Sequence, residues 1–200
     1  MNKNKKIAII TFIVFGMLSF TSCQFALKTF YGIKKPKTET EKSLKKYLKR
    51  KDINSDNIYA VNYKDFIEIV KQIGGIPEIL VFEKNGKLIK YKEETDCNAS
   101  AFDFIKKLSI KDTLQYVDSL NIDDYLLKLK DFKGKSIEFK KQTETDFYLF
   151  IFWVRYSGRL NKDHVKIWEE QANNNKNSKI EVIKVNLDLQ EWWGETLNNK

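Results

Sequence analysis

Residues 146–160 read DFYLFIFWVRYSGRL, and this stretch says more about the fold than any other part of the chain. Residues 147–154 form an almost unbroken apolar and aromatic run that stops abruptly at Arg155. Such a run predicts a central strand buried on both faces, because a strand with one solvated face alternates apolar and polar residues. The turn after such a strand is where open α/β sheets place ligands, so Tyr156, Ser157 and Gly158 become binding candidates.

Two interpretations of this turn remain open. At the start of a helix, free backbone N–H groups attract anions, which would make the turn a binding site. Alternatively, it is a plain strand-to-helix turn in which Ser157 caps the helix. Ser157 is a poor candidate nucleophile, because the sequence around it lacks the Gly-x-Ser-x-Gly pattern.

The remaining sequence alternates between helix and strand patterns, and its 42% hydrophobic and 14% aromatic residues are enough to build a core. A capping box at Thr38 and Glu41 predicts the first helix, and Asn85-Gly86 predicts a hairpin turn. We therefore predict one α/β domain over residues 38–200, with a mixed sheet flanked by helices. Predicted strands cover residues 57–62, 76–83, 88–93, 136–139 and 180–187, and predicted helices cover residues 63–73, 98–108, 121–132 and 161–172.

The first 22 residues have the pattern of an export signal. Lys3, Lys5 and Lys6 precede an apolar stretch over residues 7–20, and small residues follow it. An apolar stretch this short does not comfortably span a bilayer, which takes about 20 residues. We expect the chain to leave the cytoplasm, and nucleic acid is then not a sensible partner despite the formal charge of +9.

Thr21-Ser22-Cys23 resembles the end of a bacterial lipoprotein signal, although Phe20 stands where Leu is commoner. The resemblance implies a signal peptide over residues 1–22, an acylated Cys23 and a tether over residues 23–37. It places the protein in the cell envelope, anchored to a membrane at its periplasmic or outer-membrane face, and more than one acyl chain makes such anchoring stable. An ordinary cleaved signal and a short uncleaved anchor are the alternatives.

The tether is basic, with Lys28, Lys34, Lys35 and Lys37 close together. Anionic lipid headgroups would attract each of these charges by about 1 kcal/mol near the surface. A soluble spacer without a binding role is the other interpretation.

Two separate pieces resemble thioredoxin-like proteins. Residues 75–82 (GIPEILVF), followed by residues 84–87 (KNGK), are similar to the family's cis-proline strand and hairpin. Residues 152–161 (FWVRYSGRLN) resemble the phrase Phe-Trp-x-x-Trp-Cys-Gly-x-Cys-Lys that opens the redoxin active-site helix. Ser157 and Leu160 occupy the two cysteine positions of that phrase.

The resemblance implies a thioredoxin-like mixed sheet with an unusual order, because the piece that is carboxyl-terminal in the family comes first here. The segment order is either permuted, or two incomplete units are combined. The resemblance also implies a cis peptide bond before Pro77, beside which an extended peptide would dock through main-chain hydrogen bonds. A trans proline at the first residue of a strand is the alternative.

A serine and a leucine do not carry out thiol–disulfide exchange, so we expect a protein- or peptide-binding role at the membrane rather than catalysis. The alternative is a single-cysteine thiol oxidoreductase that uses Cys97, near a helix start where the helix dipole lowers a thiol pKa. Cys97 as a small, partly buried apolar residue is the plainer interpretation. We predict no cofactor, and the single histidine does not form a zinc site.

Overall fold

The computed structural model describes residues 28–93 and 98–194. The predicted signal peptide, Cys23 and Cys97 lie outside the described residues. Within them, the predicted mixed α/β fold is confirmed: six strands form one sheet, and helices flank it. The strands are β1 (Ile58–Tyr59), β2 (Glu78–Glu83), β3 (Lys87–Ile89), β4 (Tyr116–Asn121), β5 (Phe147–Trp153) and β6 (Ile180–Asn186). The helices are α1 (Glu41–Lys51), α2 (Tyr63–Ile73), α3 (Ser100–Lys107), α4 (Ile122–Leu126) and α5 (Ile167–Asn173), the last preceded by a π-helical segment, Asn161–Lys166.

The strand β5 lies inside the sheet, whose order is β1-β6-β5-β2-β3-β4. It pairs with β6 in parallel and with β2 antiparallel, and every one of its residues is buried. This confirms the prediction of a central strand covered on both faces. Its apolar side chains alternate between two cores, because successive residues of a strand point to opposite faces.

Each face of the sheet is covered by its own set of helices. The core on one side contains Leu149 and Trp153 of β5 with residues of α1, α3 and α5. The core on the other side contains Phe150 and Phe152 with residues of α2 and α4. Two helix layers therefore enclose the sheet, as its unbroken apolar strand requires.

Several boundaries were predicted correctly from local chemistry. The helix α2 ends at Gly74, which adopts the left-handed conformation (φ +69°). Gly86 has φ +93° in the turn between β2 and β3. Positive φ values of this kind favour glycine, which is why these two residues marked the ends of their elements.

Other details of the prediction were wrong. The helix predicted over residues 121–132 ends at Leu126, because Lys130 exchanges backbone hydrogen bonds with Ala60 instead of continuing the helix. Ser136 makes an isolated bridge to Lys130 rather than starting a strand. The strand β4 was not predicted at all. The first helix is capped by Thr40 and Ser43, two residues later than expected.

Within residues 28–93 and 98–194, no helix is long and apolar enough to cross a membrane.

Candidate functional site

The two segments that carry the resemblance meet at one end of the sheet. The pairing of Glu78 with Phe152 places Pro77 beside Trp153, where β5 ends and the turn begins. The Ile76–Pro77 peptide bond is cis, which decides between the two alternatives that the sequence left open. The Pro77 carbonyl accepts a hydrogen bond from Asn98 Nδ2 at 2.7 Å.

The Ser157 hydroxyl is part of an internal network. Ser157 is 4% exposed, and its Oγ lies 2.7 Å from the Val154 carbonyl and 3.0 Å from Asn161 Oδ1. Asn161 Nδ2 donates to the Val154 carbonyl at 2.8 Å and to Tyr47 Oη at 2.7 Å. These groups satisfy one another, so Ser157 stabilises the turn and is not presented to a substrate.

Three backbone N–H groups of the turn also have acceptors. Ser157 N–H donates to Val154 O at 3.3 Å, and Gly158 N–H donates to Arg155 O at 3.4 Å. Arg159 N–H donates to Tyr31 O at 2.7 Å. These three amides are therefore not free to bind an anion, and the turn matches the plain strand-to-helix turn more closely.

Part of the predicted tether packs against this turn. Besides the bond from Arg159 to Tyr31, Lys34 N–H donates to Tyr156 O at 2.9 Å. Gly158 has φ +65°, and a Cβ atom there would lie 2.4 Å from the carbonyl oxygens of Tyr31 and Gly32. Only glycine permits this close approach, so the surfaces of the turn and of the segment that covers it are complementary.

A buried carboxyl group lies beneath the turn. Asp188 Oδ2 accepts hydrogen bonds from the Arg155 backbone N–H at 2.6 Å and from Asn186 Nδ2 at 2.8 Å. Burial raises the pKa of Asp188 to about 6, and these two hydrogen bonds only partly oppose the rise. There is therefore a pH range in which this carboxyl group is neutral in the folded protein but ionised in the unfolded chain.

We predict that Asp188 makes the folded protein less stable as the pH rises. Its pKa is about 6 in the folded protein, whereas that of an aspartate in an unfolded chain is about 3.9. The stabilising contribution is complete below pH 4 and is lost as the pH rises through 6, by about 2–3 kcal/mol. Urea unfolding measures the free energy of unfolding at pH 4 and at pH 8. The unmodified protein should lose stability between these pH values, and Asp188→Asn should lose less by this amount. Parallel pH profiles in the two proteins would contradict the assignment.

A second buried carboxylate, Glu39, forms an ion pair with the Arg155 guanidinium and accepts a hydrogen bond from Ser43 Oγ at 2.5 Å. The Arg155 guanidinium also lies 5.7 Å from the centre of the Tyr47 ring. Arg155 is thereby fixed between a charge and an aromatic face, next to the turn. Neither Glu39 nor Asp188 was a sequence candidate, although Asp188 follows an apolar strand closely enough to have suggested burial.

A cleft of about 420 Å³ opens beside the turn. It is lined by residues of the segment 29–39 that covers the turn, by residues of α1, and by residues of the turn itself, including Tyr156 and Gly158. The structure thus brings Tyr156, Ser157, Gly158 and Pro77 to one end of the sheet. In residues 28–93 and 98–194, no group of three or more His, Cys, Asp or Glu side chains is arranged to hold a metal ion.

Comparison of the chain with protein-family models, with curated proteins and with solved structures finds no match.

Proposed function

We propose that this protein is an exported, lipid-anchored binding protein of the cell envelope with a thioredoxin-like domain that has lost thiol chemistry. Its partner is a protein or a peptide, and its role is to bind rather than to catalyse. The anchor is the acylated Cys23 that the signal sequence implies.

The kinship with thioredoxin-like proteins is supported by the adjacency of the two similar pieces. The strand that follows Pro77 is β2, and the strand that ends in Phe152-Trp153 is β5, and they are hydrogen-bonded neighbours in one sheet. The strand β6, which resembles the next strand of that fold, lies on the other side of β5. This adjacency favours a single unit with permuted segment order over two incomplete units.

The observation that supports a non-catalytic role is that the turn has a serine in place of a cysteine and is covered by another segment of the chain. Ser157 replaces the first redox cysteine, and its hydroxyl is buried in contacts with Val154 and Asn161. Backbone atoms of Tyr31 and Gly32 lie directly over Gly158. A substrate disulfide would find neither a sulfur atom nor open space at this point, so binding is the role that remains for this end of the sheet.

The segment before Pro77 offers a place for a partner. Gly75 is exposed and Ile76 is half-buried, where the chain enters β2. The Pro77 carbonyl is already used by Asn98, so an extended peptide would contact the chain at Gly75 and Ile76. This end of the sheet is also distant along β5 from the loop that contains Glu144.

A photo-crosslinking amino acid at position 75 is expected to capture a discrete partner in intact cells. Gly75 is suited to this substitution, because nothing lies within 4 Å of an added Cβ and its φ is not in the left-handed region. The same amino acid at Glu144, which is exposed at the other end of β5, is the matched control. Crosslinking followed by mass spectrometry should give the same adduct from position 75 repeatedly and none from position 144.

The outcome also tests the thiol alternative. The adduct should persist in Cys97→Ser, because binding does not require that thiol. Equal capture from both positions would contradict a binding site beside Pro77. A Cys97 alkylation pKa well below the value of about 8.5 for a free thiol, with peroxide reactivity lost in Cys97→Ser, would replace the binding role with an enzymatic one.

A further inference from the structure

The cleft beside the turn has a net positive charge. Seven lysine and arginine side chains line it, against the single carboxylate of Glu39. Among the described residues, the cleft cations with a carboxylate partner within 4.0 Å are Lys37, Arg155 and Arg159. The others therefore face the cleft with their charge available to a ligand.

Aromatic rings hold the guanidinium groups at the walls. Arg50 lies 5.8 Å from the centre of the Tyr47 ring, on which Arg155 also stacks. Arg159 lies 5.2 Å from the centre of the Phe30 ring. A guanidinium fixed in this way presents paired N–H donors that match the oxygens of a phosphate group. The cleft thus has both the charge and the donor geometry for a phosphate-bearing ligand.

The position of the cleft in the chain indicates where that ligand comes from. One wall begins at Thr29, six residues after Cys23. Six extended residues span at most about 20 Å. If Cys23 is acylated, as the proposed function holds, the cleft therefore lies within about that distance of the membrane surface. Phe30, at the same wall, is 64% exposed.

We propose that this cleft binds the phosphate headgroup of an anionic lipid in the membrane to which the chain is anchored. The headgroup phosphate lies among Lys34, Lys35, Arg50 and Lys51, and Phe30 contacts the adjacent interface. Two features that the sequence presented separately, the basic tether and the turn at Tyr156, meet in this one site. The side-chain cations supply the anion affinity that the turn's occupied N–H groups do not.

The test is a titration of the purified full chain, in a neutral detergent at 0.15 M salt, with three probes. These are dihexanoyl phosphatidylglycerol, dihexanoyl phosphatidylcholine and inorganic phosphate. The anionic lipid is expected to bind at least tenfold more tightly than the other two. Lys35→Glu/Arg50→Glu should weaken its binding at least tenfold, because two exposed cations of the cleft become anions.

Lys140→Glu/Lys176→Glu is the matched control, since both lysines are exposed and line no part of the cleft, and the change in net charge is identical. This control should alter the dissociation constant less than twofold. Equal weakening in both double variants, or equal affinity for the two lipids, would overturn the proposal. Phosphate binding as tight as lipid binding would overturn the lipid assignment.

The lipid-binding cleft and the proposed acyl anchor can be tested independently of each other. Intact-mass measurement of the purified protein reads acylation of Cys23 directly and does not depend on the cleft. An acylated protein whose cleft ignores anionic lipid would leave the anchor standing and remove this inference. A chain without acyl groups that still prefers the anionic lipid would do the reverse.

Discussion

Lys184→Met is expected to lower the free energy of unfolding by about 3–5 kcal/mol, because it leaves Glu169 as a buried carboxylate without its partner. Lys184 is on the interior strand β6 and Glu169 is on α5, and their side chains are 1% and 8% exposed. Their ion pair joins the sheet to the helix that follows the turn. Urea unfolding at pH 7 measures the loss.

The double variant Lys184→Met/Glu169→Leu should regain most of this stability, since replacing a buried ion pair by apolar residues of similar volume is often neutral or stabilising. Lys179→Met is the matched control. The side chains of its ion pair with Glu144 are 50% and 79% exposed, so its loss should cost only a small fraction of the stability lost in Lys184→Met. Similar losses in Lys184→Met and Lys179→Met would show that burial of the Lys184 pair does not govern its energetics.

Gly158→Ala is expected to destabilise the protein by about 4 kcal/mol, through backbone strain and through overlap with the covering segment. The strain arises because φ is +65° with ψ −116°, a combination that L-residues rarely adopt. The overlap arises because the new Cβ would lie 2.4 Å from two backbone oxygens, which cannot rotate away as a side chain does. Residues 28–34 should therefore move off the turn, and limited proteolysis should cut them sooner.

Gly75→Ala provides the comparison, since the added methyl group meets no atom within 4 Å and the backbone angle is ordinary there. We expect that variant to differ from the unmodified protein by less than about 1 kcal/mol. Unchanged stability together with unchanged proteolysis in Gly158→Ala would contradict the close packing of residues 31–32 on the turn.

The parts of the fold that were predictable are those written in local sequence. The apolar run of β5 required burial on both faces, and Gly74 and Gly86 stand where positive φ values are needed. The strand β4 was missed because its residues, YVDSLN, mix polar and apolar side chains at the edge of the sheet. The pairing of Lys130 with Ala60 joins residues 70 positions apart in the sequence, and no helical pattern reveals it.

The candidate site was only partly predictable for the same reason. Tyr156, Ser157 and Gly158 follow a recognisable strand, so their place at the end of the sheet could be inferred. The cover over Gly158 comes from Tyr31 and Gly32, whose local sequence resembles a spacer. Long-range contacts of this kind depend on the shape of the folded surface, and that shape is not encoded in any one segment.

The strand order determines when the sheet is completed during synthesis. The first two strands to leave the ribosome, β1 and β2, are not neighbours, because β6 and β5 lie between them. The strand β2 pairs with β3 early, but its other edge remains unpaired until β5 is synthesised, and β1 remains unpaired until β6 is synthesised. Until then, β1 and the β5-facing edge of β2 expose unpaired backbone groups to other chains. A premature stop codon before β6 would leave β1 without its parallel partner, so truncated products are expected to aggregate rather than to fold in part.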